Sequence, residues 1–331
     1  MSSIDRRTAL ALGAAATAGA AMPAAAAAAG EALGGKAMAG KSVLITGASS
    51  GFGQLAALLF ARSGAKVFAT MRNLPRAEAD EMRKVAKAEK LDLTVLELDV
   101  LSDASVAKAV AEAEKLAGGG IDVLVNNAGI GITGPVEVQD MEATRLIFDT
   151  NVFGPQRVAR AALPAMRKKK SGLIFNISSQ LGRVIVPGGG HYSATKFALE
   201  AMSEQMAYEL VPLGIEVCII QPGGYPTRVW INRNGYTKAL RERTEPGRLA
   251  DYPALTGRMG TEDGSGRTAD PADVPKAMLE IAGLPAGKRP LRRAVHPGAK
   301  PQEAINRVSA ETQVAWLGNS PFGPWIKAVH D

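Results

Sequence analysis

Two side chains set one helical turn apart define the chemistry this chain could do. Tyr192 and Lys196 lie in Tyr192-Ser193-Ala194-Thr195-Lys196, and Phe197-Ala198-Leu199-Glu200-Ala201-Met202 continues the segment as a helix. Residues four apart on a helix share a face. A phenol is a poor acid near neutrality because its unperturbed pKa is about 10. An ammonium beside it favours the phenolate and draws that value down, which makes the pair a candidate proton donor and acceptor. Many helix surfaces carry a tyrosine and a lysine at this spacing. The pair acquires meaning only if the rest of the chain supplies a redox cofactor and groups that orient a substrate.

An orienting group is available upstream, where Ser178 and Ser179 follow the apolar run at 173–177. A hydroxyl there can donate to a carbonyl oxygen as negative charge builds on it. No histidine and acid accompany either serine, which excludes an activated serine nucleophile.

A cofactor site is predicted near residue 50. The apolar run 41–45 has the pattern of a buried strand and leads into Thr46-Gly47-Ala48-Ser49-Ser50-Gly51-Phe52-Gly53, after which Leu55, Ala56, Leu58, Leu59 and Phe60 mark a helix. Gly47 permits the sharp turn, Gly51 lets backbone amides approach a pyrophosphate, and Gly53 allows close helix–strand packing. Gly47, Ser49, Ser50, Gly51, Phe52 and Gly53 are therefore candidate cofactor contacts. The second strand, 66–70, ends at Met71-Arg72-Asn73. An acid normally stands there to hold the ribose hydroxyls of NAD; a guanidinium instead suits a 2′-phosphate, so NADP(H) is favoured over NAD(H).

The elements that must position these groups alternate regularly. Further strands are predicted at 94–98, 121–125, 173–177, 215–220 and 291–295, with helices at 76–90, 103–116, 141–167, 192 onwards and 272–283. Strands separated by helix-length segments imply right-handed crossovers. The expectation is one α/β domain over 41–295, a doubly wound, mostly parallel Rossmann-type sheet with helices on both faces. No true internal repeat is present.

The glycine-rich turn, Asn126-Asn127-Ala128-Gly129 after the fourth strand, and Tyr192-x-x-x-Lys196 on a later helix stand in an order that resembles the short-chain dehydrogenase/reductase family. The similarity runs from about Lys41 to about Thr227. It implies that Asn126–Gly129 stabilise the sheet beside the cofactor, with Asn127, Ala128 and Gly129 as cofactor contacts, and that Asp99 and Val100 meet the adenine. It further implies that Lys196 and Tyr192 reach the nicotinamide ribose and that Pro222, Gly223 and Thr227 flank the carboxamide. Asn151 matches the family's catalytic asparagine, and Ser179 matches its serine. Pro155, lacking an N–H, would free the Asn151 carbonyl for the water of a proton relay. The activity implied is NADP(H)-dependent interconversion of a ketone or aldehyde and an alcohol, with Tyr192 as acid and base, on a small-molecule substrate and in a homo-oligomer. A non-catalytic NADP-binding sensor or scaffold, and an epimerase or dehydratase on the same fold, are the alternatives.

Composition narrows the other classes. With 331 residues, 46% of them apolar, the chain can bury a full core. Its formal charge of +7 is dispersed, with no basic tract interleaved with aromatics, which argues against nucleic acid. One cysteine, Cys218, sits in an apolar strand and excludes an intrachain disulfide; three scattered histidines make no metal centre. Lys168-Lys169-Lys170 suits the end of a helix and reads as solvated.

Residues 1–30 carry Arg6-Arg7 and then an uncharged, alanine-rich run with small residues suited to cleavage near 24–29. That pattern is expected of a twin-arginine-like export signal, read by the export machinery that passes folded proteins, with 31–40 as linker. It would place the mature chain in the periplasm or outside the cell, and otherwise the protein is cytoplasmic. A membrane anchor and an unstructured leader are the other readings. Residues 228–270 suggest a substrate lid. Arg228, Arg233, Lys238, Arg241, Arg243 and Arg248 there hint at an acidic substrate, against the plainer reading of a solvated helix face. The tail, 296–331, with Trp316, Phe322 and Trp325, is expected to pack over the domain or a partner subunit.

Overall fold

In a computed structural model that describes residues 37–330, strand and helix alternate from the start. The order is β1 (Ser42–Ile45), α1 (Gly51–Arg62), β2 (Lys66–Met71), α2 (Ala77–Ala88), β3 (Leu93–Glu97), α3 (Asp103–Ala117), β4 (Val123–Asn126), α4 (Met141–Phe148), α5 (Gly154–Lys169), β5 (Gly172–Ile177), α6 (Tyr192–Leu210) and β6 (Ile215–Pro222). Then come α7 (Val229–Arg243), two short helices α8 (Pro246–Ala250) and α9 (Pro253–Thr256), α10 (Asp273–Gly283), β7 (Arg292–Val295), α11 (Gln302–Leu317) and α12 (Gly323–His330). The export-signal expectation and most of the 31–40 linker lie outside the described residues.

All seven strands join one parallel sheet in the order β3-β2-β1-β4-β5-β6-β7. Strands covered on both faces must be apolar at nearly every position, and successive side chains enter opposite layers. Val43 and Ile45 of β1 and Val123 and Val125 of β4 pack in one layer with α1, α2 and α10. Leu44 and Leu124 enter the other with α3, α5 and α6. Each such fully buried aliphatic side chain contributes about 1.5–3 kcal/mol relative to exposure. Cys218 belongs to the first layer, and burial pushes its thiol up to about 12. The order reverses between β1 and β4, and a doubly wound sheet opens a crevice beyond the carboxyl ends of its strands at such a point.

Three local expectations are corrected. The single helix over 141–167 is two helices joined by a π-turn, Asp149–Phe153, in which the Gly154 N–H bonds to the Asp149 carbonyl. That wider turn lets the ring of Pro155 stand in the first turn of α5, where no N–H is needed. Lys169 is not a freely solvated end: its Nζ donates to Gly120 O at 2.9 Å and to Asp122 Oδ1 at 2.8 Å, tying α5 to the entry of β4. The tail packs over the domain, but not through its aromatics. Ile326, Gln302 and His330 face inward, while Trp316 is 76% exposed. No described helix is long and apolar enough to cross a membrane.

Candidate active site

The turn after β1 and the turn after β4 are locked together at the crevice. Thr46 Oγ1 accepts from the amides of Asn127 (3.0 Å) and Ala128 (3.1 Å). Asn127 Nδ2 in return donates to the carbonyls of Thr46 (2.9 Å) and Gly47 (3.1 Å). Gly47 takes φ +69°, and a Cβ there would lie 2.8 Å from Ala128 Cα. A Cβ on Gly53 would lie 2.4 Å from Asn127 Nδ2 and 2.5 Å from Gly47 O. Neither position has room for a side chain.

α1 begins after Ser50 with no side-chain cap and no acid in its first turn. Its leading amides and the positive end of its dipole thus face the crevice unneutralised, which fits a pyrophosphate. Ser49 and Ser50 are half-buried in the turn. Phe52 offers only its backbone, because its ring meets the Tyr225 ring edge-on at 5.4 Å. Thr227 arrives opposite: its Cβ is 3.5 Å from where a Cβ on Gly51 would stand. Pro222 pairs with Val295, and the Gly223 amide donates to Val295 O at 3.0 Å. Asp99 Oδ1 accepts from Leu101 N at 3.1 Å, and Val100 packs against Gly154. Arg72 directly follows β2, and its Nη2 donates to Tyr236 Oη at 2.8 Å.

Asn151 is 1% exposed inside the π-turn. Its Oδ1 accepts from Ile130 N (2.8 Å), and its Nδ2 donates to Ile130 O (2.9 Å) and Thr195 Oγ1 (3.1 Å). A Cβ on Gly129 would lie 3.3 Å from that Oδ1 and 3.9 Å from Lys196 Nζ, so Gly129, Asn151 and Lys196 adjoin. Lys196 is 6% exposed and donates from Nζ to Ile177 O at 2.7 Å. Burial draws its ammonium down to about 8, against the opposing charge of Glu200. Ser179 is buried, its Oγ accepting from Leu181 N at 3.1 Å; the neighbouring Ser178 Oγ is buried with no partner among the described residues.

Tyr192 is half-buried, and desolvation pushes its phenol above the ordinary value, while the Ser179 hydroxyl and the Arg233 charge pull the other way. The lowering expected from Lys196 is therefore corrected. Its Nζ lies 5.7 Å from the centre of the Tyr192 ring and is committed to the Ile177 carbonyl, so burial dominates.

The basic run of 228–270 is mostly spent within the chain. Arg228 faces Glu78 (3.6 Å), Arg243 pairs with Asp140 (2.9 Å), Arg248 with Glu245 (3.3 Å), and Arg241 caps the Thr256 carbonyl (3.1 Å). Lys238 packs its stem against Gly260. Arg233 alone turns inward: its stem covers Gly131, its guanidinium lies 4.4 Å from the Trp230 ring centre, and Nη2 pairs with Glu262 at 2.7 Å. Thr46, Thr195 and Tyr236 were not singled out from sequence, and Arg233 was read there only as one member of a basic run. Only Thr46 carried a signal there, as the hydroxyl that opens the turn after β1.

The chain matches the short chain dehydrogenase family model over residues 41–236 and belongs to that family, whose members are NAD(P)-dependent oxidoreductases. It is 41% identical over 194 residues to the 3-ketodihydrosphingosine reductase of Bacteroides thetaiotaomicron, covering 58% of this chain and 66% of that one. It is 34% identical over 277 residues to retinol dehydrogenase 8 of Bos taurus, covering 80% of this chain and 84% of the other. The crystal structure of a short-chain dehydrogenase from Streptomyces avermitilis superposes with a TM-score of 0.63 at 32% identity, over 82% of this chain and 94% of its own.

Proposed function

We propose that this chain is an NADP(H)-dependent carbonyl reductase or alcohol dehydrogenase in which Tyr192 exchanges the proton. The observation that carries this reading is the meeting of Gly129, Asn151 and Lys196 at the point where the sheet order reverses, with Tyr192 one turn from Lys196. A bound nicotinamide dinucleotide supplies or receives the hydride. The amides of the Gly47–Gly53 turn would hold its pyrophosphate, and Asp99 and Val100 the adenine end. Arg72, with no acid in its place, favours a 2′-phosphate.

The remaining work falls to the chain. Ser179 donates to the substrate oxygen as charge develops on it. Burial keeps the Tyr192 phenol protonated, which suits it to give its proton to that oxygen in reduction. Lys196 remains charged below about 8 and so draws negative charge towards the site as the proton leaves. Asn151 fixes the loop at Ile130 against α6 through Thr195.

An apolar substrate is part of the proposal. Ile185 is 73% exposed and Val136 66%, beside the Gly134–Gly189 bridge near Tyr192. The relatives named for a ketosphingoid and for retinol fit that rim. The test is NADPH consumption against ketones and aldehydes graded in apolar length. Rates rising with length support the reading, and no NADPH consumption with any carbonyl opposes it. Export by way of Arg6-Arg7 is a separate proposal, checked by the mass of the N-terminus in cell fractions; a full-length cytoplasmic product defeats it.

A further inference from the structure

α7 reaches the carboxyl end of β2, where three guanidinium groups gather. Arg72 stands at the end of β2. Arg76 bonds the Arg72 carbonyl through Nη1 (3.4 Å) and Glu78 through Nε (2.9 Å). Arg228 approaches Glu78 from the start of α7 at 3.6 Å. The carboxylates on this ground are Glu78 and Glu97, and Glu97 is engaged by the Leu74 amide at 3.2 Å. Three cations against two acids leave an excess of positive charge, which an anionic group would balance.

Tyr236 enters this cluster from α7. Its Oη accepts from Arg72 Nη2, which leaves the phenol hydrogen free to donate, and no acceptor for it stands among the described residues. Next to it on the same helix, Thr237 Oγ1 accepts from Thr133 N at 3.1 Å, and one turn back Arg233 covers Gly131. Thus α7 touches both the phosphate-binding edge and the loop that adjoins the catalytic residues.

We propose that Tyr236 is a specificity-determining residue. Its phenol completes, with Arg72, a receptor for the 2′-phosphate of NADP(H), and filling that receptor fastens α7 over the catalytic pair; this rests on the NADP(H) reading above. The phenol donates to a phosphate oxygen that the guanidinium also holds, and hydrogen bonds to charged groups are the stronger kind. A plain ribose hydroxyl gives neither contact.

Calorimetry on the full chain with 2′,5′-ADP and 5′-AMP tests this without a substrate. The wild-type protein binds 2′,5′-ADP more tightly, and Tyr236→Phe loses about tenfold of that affinity while 5′-AMP binding is unchanged. In hydrogen exchange, 2′,5′-ADP slows residues 229–243 of the wild type, whereas 5′-AMP does not, nor does either probe in Tyr236→Phe. Unchanged affinities in the variant, or an equal loss for both probes, overturn the role of Tyr236 and leave the cofactor reading standing. Tighter 2′,5′-ADP binding by the variant also overturns it, since the phenol would then be a competitor for Arg72. A wild type that binds the two probes equally defeats both readings.

Discussion

Lys196 and Glu200 stand one helical turn apart on α6, and both are buried, at 6% and 1% exposure. Glu200 is fixed at both oxygens, by Gln221 Nε2 at 2.9 Å and Arg292 Nε at 2.8 Å. The carboxylate so held stands on the face of the helix that carries the active lysine. Burial drives the Lys196 ammonium towards neutrality, and Glu200 resists.

Glu200→Gln is therefore expected to lower the Lys196 value below about 8. Reduction needs the ammonium, so the alkaline limb of the pH–rate profile moves to lower pH. Glu204→Gln, one turn further along the same network, leaves that limb in place. Equal profiles for the wild type and Glu200→Gln would show that the carboxylate has only a packing role.

Glu204 has its own signature in stability. Burial acts to raise its carboxyl, but His330, Arg292 and Tyr208 together hold it down to about 2. A depressed carboxyl stabilises the fold fully above its ordinary value and loses that contribution as pH falls through the folded one. The wild type should thus lose stability progressively from about pH 4.5 to about pH 2. Glu204→Gln should be destabilised at neutral pH and vary less over that window, since it removes one of the two acids that neutralise Arg292. Melting temperature against pH reads both effects, along with release of α12, which His330 fastens to Tyr208.

Gly53→Ala introduces a methyl 2.5 Å from a backbone oxygen that the Asn127 side chain also needs. Overpacking of this kind costs about 1–3 kcal/mol. The expected result is a lower melting temperature and loss of dinucleotide binding by calorimetry. Gly119→Ala, where an added methyl meets nothing, should bind normally.

The strands were legible because a sheet covered on both faces demands continuous apolar runs, and 43–45, 123–125 and 173–177 supply them. Their parallel direction followed from the helix-length crossovers between them. The π-turn was not legible, since Pro155 signals a break but not whether the chain bends, kinks or widens. α7 was obscured because only Thr237 and Leu240 of its residues are buried, so it shows little apolar period. The inward turn of Arg233 and the place of Tyr236 were hidden for a different reason. Their partners, Gly131 and Arg72, are more than 100 residues away in sequence, and no local pattern announces contacts that depend on the whole sheet being assembled.

The most direct test of the proton-donor role is Tyr192→Phe, measured as NADPH oxidation with a carbonyl substrate alongside NADPH affinity. Losing a positioned acid should cost about 10²–10⁴-fold in kcat, with cofactor affinity kept. A variant that turns over at the wild-type rate would contradict the role given to this phenol.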